Sequence, residues 1–81
     1  MFTVYVLQST VASKAYVGFT NNIERRIAEH NAGKHSYTKR YMPWILKYTE
    51  QFDNLREARE RERYFKLGAG RKYLKTRIFS K

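Results

Sequence analysis

Five side chains spread along this chain have types that could do chemistry together: Tyr5, Tyr16, Arg26, His30 and Glu62. Tyrosine and histidine carry protons, arginine offers anions a planar fork, and a carboxylate can hold a cation. Tyr16 to His30 spells "YVGFTNNIERRIAEH", and Tyr5 precedes it within "FTVYVLQ". Each type also has an ordinary structural use. Tyrosine favours strands, and the chain has seven tyrosines. A lone helical histidine is usually a partly exposed surface residue. A helical glutamate often pairs with a lysine one turn on. The five gain meaning as a set only if local structure turns them toward one place.

The elements that must do this follow from periodicity. Phe2, Val4 and Val6 alternate with Thr3, Tyr5 and Leu7, the period-two pattern of a strand. "STVASK" turns the chain into "AYVGFT", a second strand of an antiparallel hairpin. A helix follows, with Asn21 as the expected N-cap, Glu24 completing a capping box, and Gly33 as the stop. "KHSYTKRYMP" is a basic loop with no acid, and "WILKYTEQF" alternates as a third strand. Asn54 with Glu57 repeats the capping pattern, starting a helix at about Leu55 that is expected to end near Gly68. "RKYLKTRIF" makes a last helix. The order β-β-α-β-α-α predicts an α+β fold: one domain over residues 1–81, a three-stranded antiparallel sheet flanked by helices.

Helix faces sort the candidates. At about 100° per residue from Ile23, Ile27 falls at about 40°, His30 at about 340° and Arg26 at about 300°. Arg25, at about 200°, and Glu29, at about 240°, point away. Spacing therefore selects Arg26 over its neighbour. On the later helix, counted from Leu55, Ala58, Phe65 and Glu62 share one stripe at about 280–340°, while Glu57 and Glu60 point outward. A carboxylate in an apolar stripe needs a partner, because desolvating its charge is costly. Lys66, four residues on, can supply one at the surface; a metal or catalytic role is the other option.

The bulk composition narrows the partner. Seventeen Lys+Arg against seven Asp+Glu give +10, with a pI of about 10.2. Residues 55–81 alone hold ten Lys/Arg and three Glu, a local +7. Such a surface fits a polyanion, nucleic acid above all. The absence of cysteine excludes disulfides and thiolate metal sites and accords with a cytoplasmic location. "MFTVYVL" lacks the basic lead-in of a signal peptide, and no run nears the roughly 18 apolar residues of a membrane span. No membrane partner is expected.

Taken together, these motifs resemble the GIY-YIG nuclease superfamily, in particular its small stand-alone bacterial members. Thr3-Val4-Tyr5 stands where the first motif belongs and Tyr16-Val17-Gly18 where the second does. "NNIERRIAEHNAGK" and "REARERERYFK" follow in the family's order. The first motif lacks its glycine and isoleucine, a polar residue some members carry after the glutamate has no clear counterpart, and no extra DNA-recognition domain is expected.

The resemblance implies roles. Tyr5 and Tyr16 would be the motif tyrosines, and Arg26 would hold the scissile phosphate. His30 would stand near the nucleophile, and Glu62 would bind a divalent Mg²⁺ or Mn²⁺. One carboxylate suffices for such an ion, which keeps waters and takes substrate phosphate. A tyrosine or His30 would take the proton from the attacking water. Tyrosine, with a pKa of about 10, is a poor base, so positive charge from the metal and Arg26 is expected to lower it. Tyr5, Tyr16 and His30 all stay open as the base. Lys34, Lys39 and Arg40 are candidates for phosphate contacts, which give salt-sensitive binding with little sequence reading.

Three function classes follow. The first is a metal-dependent endonuclease on DNA, with RNA the alternative substrate. The second is a non-catalytic nucleic-acid-binding module, in which the tyrosines stack or pack and Glu62 is a helix ion pair. The third is a protein–protein adaptor using the aromatic surface.

Overall fold

The computed structural model describes residues 1–79. Strands β1 (Phe2–Ser9), β2 (Ala15–Thr20) and β3 (Trp44–Phe52) form one antiparallel sheet in the order β2-β1-β3. Helix α1 spans Ile23–Asn31, α2 Ser36–Lys39, α3 Leu55–Lys66 and α4 Gly68–Tyr73, which runs into a π-helical turn, Leu74–Ile78. The expected sheet and the bounds of β2 and β3 are as observed.

Alternation in β1 has the expected two faces, and both are buried. Val4 and Val6 join Val17, Ala58, Phe65 and Leu74 in one core. Tyr5 and Leu7 join Trp44 in another, closed by Ile23 and Ile27 of α1. Burying such side chains gives roughly 1.5–3 kcal/mol each, so the central strand anchors both layers. The β1–β3 register slips between Val6–Tyr48 and Leu7–Leu46, which leaves Lys47 as a bulge.

Local departures have local causes. The N-cap of α1 is Asn22, whose side chain accepts from the Arg25 amide, so Glu24 is not in a capping box with Asn21. Asn54 caps α3 as expected, accepting from the Glu57 amide. The basic loop contains α2, a single turn held by tertiary contacts: Thr38 is fully buried, and its carbonyl accepts from Trp44 Nε1 at 2.8 Å. Helix α3 stops at Lys66, and α4 begins at Gly68 rather than at Arg71. Asn31, ending α1, clasps the start of β3: Oδ1 accepts from Trp44 N at 2.6 Å, and Nδ2 donates to Trp44 O at 3.1 Å.

Candidate active site

Tyr5 pairs across the hairpin with Gly18. A Cβ at position 18 would lie 2.5 Å from Tyr5 Oη and 3.2 Å from Tyr16 Cε2. Real side chains do not approach so closely, so the glycine after Tyr16 and Val17 makes the slot for both phenols. Their ring centroids are 6.3 Å apart.

Helix α1 closes the slot. His30 is fully buried, and its Nε2 is 2.9 Å from Tyr5 Oη. On its other side Nδ1 is 2.8 Å from Thr38 Oγ1. The Thr38 hydroxyl can spend its hydrogen on the His35 carbonyl, 3.4 Å away, and accept from Nδ1–H. The buried Tyr5 phenol then places its hydrogen on Nε2. We assign His30 the Nδ1–H tautomer on this bonding pattern. Burial, with His35 and Arg26 nearby, lowers the His30 pKa to about 4, so the ring is neutral near pH 7. Burial, then Tyr16, pushes the Tyr5 phenol well above its ordinary value, while Arg26 pulls the other way. Arg26 thus acts on Tyr5 in the expected direction, but desolvation outweighs it.

Arg26 has 30% of its side chain exposed, against 59% for Arg25, as the helix face implied. Its buried Nε lies 3.4 Å from Glu29 Oε1 without a directed hydrogen bond. Glu62 reaches the same place from α3. Tyr5, Tyr16, Gly18, Arg26 and Glu62 all line one cavity of about 390 Å³. Lys66 Nζ also pairs with Glu62 at 2.7 Å, so the surface ion pair and the cavity position coexist. His30 does not line the cavity; it stands behind Tyr5.

No cluster of three His, Cys, Asp or Glu occurs among the described residues. The donor set thus does not fit a four-ligand zinc centre. It fits an ion bound through one carboxylate, the rest of its shell coming from water and substrate phosphate.

Lys34, Lys39 and Arg40 are exposed and line none of the cavities around Glu62. Lys14, Arg71, Lys72 and Lys75 line the groove that adjoins the cavity at Tyr16. For Arg71, Lys72 and Lys75 the sequence signal was the charge excess of the C-terminal third, which does not say which cations face the site; Lys14, in the β1–β2 turn, lies outside that excess. Thr38 had no such signal, because its contact to His30 exists only once α2 folds.

Comparison with known proteins bears on the family and the fold. The family described as the GIY-YIG catalytic domain matches residues 1–74. A UPF0213 protein of Bacillus cereus (strain ATCC 10987) is 38% identical over 87 aligned positions, covering 94% of this chain and 90% of the relative. One from the archaeon Halobacterium salinarum is 43% identical over 63 residues, covering 76% of this chain and 80% of the relative. Against Bacillus cereus strain ZK the match spans only 65% of the relative's length, at 43% identity over 76% of this chain. The solution NMR structure of a UPF0213 protein from Bacillus halodurans superposes with a TM-score of 0.56 at 32% identity, covering 94% of this chain and 83% of that one. The slot that Gly18 makes for Tyr5 and Tyr16, closed by Arg26 and Glu62, is thus carried by a chain that belongs to the GIY-YIG family.

Proposed function

We propose that this protein is a metal-dependent endonuclease that hydrolyses DNA phosphodiester bonds with little sequence specificity, RNA being the alternative substrate. The observation that carries the reading is the common cavity of Tyr5, Tyr16, Arg26 and Glu62, with Tyr5 hydrogen-bonded to a neutral His30. Phosphodiester cleavage needs positioning, charge neutralisation and a route for the water's proton.

Arg26, which lines the cavity, would present its guanidinium to the non-bridging oxygens. Tyr5, protonated at rest, acts best as a relay. As water gives a proton to Tyr5 Oη, Tyr5 passes its own to His30 Nε2; the hydroxide bonds to phosphorus as the ester bond to the departing sugar oxygen breaks, and that oxygen takes a proton from solvent. Tyr16 lines the same cavity and would orient the water. Glu62 would hold Mg²⁺ or Mn²⁺, which supplies positive charge to the phosphate and the departing oxygen.

Cleavage of plasmid and oligonucleotide DNA in Mg²⁺ or Mn²⁺, compared among wild type, Glu62→Ala and Tyr5→Phe, tests the proposal. Loss of at least about a hundredfold in each variant is expected. Equal residual cutting by wild type and Glu62→Ala would sink it.

One observation favours the second reading, a non-catalytic binding module: Lys66 already neutralises Glu62. Full nucleic-acid affinity in EDTA, with no cleavage of DNA or RNA in either metal, would select that reading.

A further inference from the structure

Three cavities meet at one corner of the molecule. The candidate active site shares Tyr16 with a groove of about 1000 Å³ and Glu62 with a cavity of about 580 Å³, and these two share Lys66. The two outer arms differ in chemistry. The smaller is mixed, with Arg56, Arg59 and Arg63 beside Glu60 and Glu62. The larger is lined by Lys14, Lys66, Arg71, Lys72 and Lys75 and by no carboxylate. It continues into a further cavity of about 850 Å³ that shares Lys14 and Lys75 and is also free of acids.

Packing holds these cations in place. A Cβ at Gly70 would sit 1.8 Å from the Tyr64 carbonyl oxygen, so only glycine lets α4 lie this close to α3. That contact sets Arg71 and Lys72 beside Lys66, and buried Leu74 fixes the turn carrying Lys75. Lys14, Arg71, Lys72 and Lys75 make no ion pair among the described residues. Two tyrosine rings, with Phe65 and Phe79, border the same groove. Tyr37 is 43% exposed, and its ring centroid is 6.1 Å from that of Tyr16.

We infer that this groove, between the β1–β2 turn and α4, binds an unpaired nucleic-acid strand leading out of the active-site cavity. Five cations without an acid suit a phosphate backbone. An exposed tyrosine face such as that of Tyr37 stacks on bases, and only an unpaired strand offers its base faces. Favoured substrates would then carry a single-stranded segment beside the cleaved bond. Cleavage there rests on the nucleolytic reading above; binding of the strand does not.

Fluorescence anisotropy in EDTA, at fixed salt, separates the two. The probes are a labelled 20-nucleotide thymidine strand and a mixed-sequence duplex of equal length. Tighter binding of the strand is expected. Tyr37→Ala should weaken strand binding by roughly tenfold and leave duplex binding unchanged. Lys14→Ala/Lys72→Ala/Lys75→Ala should weaken strand binding and flatten its log–log salt dependence by about 0.7 per lost contact. Lys47→Ala, on the β3 bulge and outside the groove, should do neither. Equal affinity for strand and duplex in wild type, or equal effects of Tyr37→Ala on both, would overturn the inference. Strand binding that follows this pattern without cleavage in Mn²⁺ would uphold the groove and overturn the nuclease reading.

Discussion

Tyr5 Oη and His30 Nε2 lie 2.9 Å apart although 25 positions separate them in the chain. The contact joins the central strand to the helix packed over it and places a neutral proton acceptor behind a buried phenol. Its direction depends on the far side of the ring, where Thr38 Oγ1 faces Nδ1 at 2.8 Å.

Thr38→Val keeps the shape of that residue and removes the acceptor for Nδ1–H. Long-range ¹H–¹⁵N NMR should show wild-type His30 protonated on Nδ1, with Nε2 free to accept. In Thr38→Val the ring should populate the other tautomer, and stability should fall by about 1–3 kcal/mol for an unsatisfied buried donor. Cleavage should fall as well, since Tyr5 would then face an N–H.

Stability should depend on pH through His30. Folded, its pKa is lowered to about 4 by burial, His35 and Arg26, with Glu29 opposing and the neutral Tyr5 hydroxyl against Nε2. Unfolded, it returns to about 6.5. Above that value neither state binds the proton, and His30 contributes nothing to the slope. Between the two values the unfolded chain takes up a proton that the folded chain refuses, so stability falls as pH drops, by roughly 3 kcal/mol at most. Urea unfolding at pH 7, 5.5 and 4 should show this loss in wild type and a smaller one in His30→Gln.

Gly18→Ala puts a methyl where Tyr5 Oη and Cζ now sit, at 2.5 and 2.7 Å. The Tyr5 ring is enclosed and hydrogen-bonded, so the strand or the ring must move. A cost of about 1–3 kcal/mol is expected, lowering the melting temperature by roughly 5–20 °C. Cleavage should fall further than stability explains, because the Tyr5–His30 distance lengthens. Circular dichroism melts and cleavage rates measured below the variant's transition check both.

Lys66 pairs with Glu62 at 2.7 Å, so under the proposed function it would compete with the metal ion for that carboxylate. Lys66→Met keeps the packing stem and removes the charge, so Mn²⁺ should bind several-fold more tightly than to wild type. Glu62→Gln should abolish that binding. Calorimetry or water-proton relaxation with Mn²⁺ alone reads both effects without any nucleic acid.

Much of the site was legible in the residue order because helix geometry is strict. The 3.6-residue period separated Arg26 from Arg25 and Glu62 from Glu57 and Glu60, and the cavity is lined by the selected pair. Strand alternation put Tyr5 opposite Val4 and Val6, as observed. What escaped depends on contacts between distant segments. Helix α2 is one turn without a side-chain cap, held by Trp44 and His30, so no local propensity announces it. The cap of α1 was displaced by one position because Asn21 and Asn22 are chemically alike; Asn22 also has its amide held by Thr20 Oγ1. The upward shift at Tyr5 was hidden because burial follows from the whole fold, whereas Arg26 was visible in the sequence.

The clasp of Asn31 on Trp44 bears on solubility. β3 is an edge strand, and just after Trp44 it exposes Ile45 and Leu46. Open edges with apolar side chains recruit other strands and seed aggregation. Trp44 pairs with Ser9 of β1, yet its amide and carbonyl are both taken by the Asn31 side chain. That amide imitates the neighbouring strand a foreign chain would provide, and the Lys47 bulge interrupts the ladder two residues after Ile45. The edge is thereby closed to a continuous intermolecular ladder at the end nearest its most exposed apolar residues.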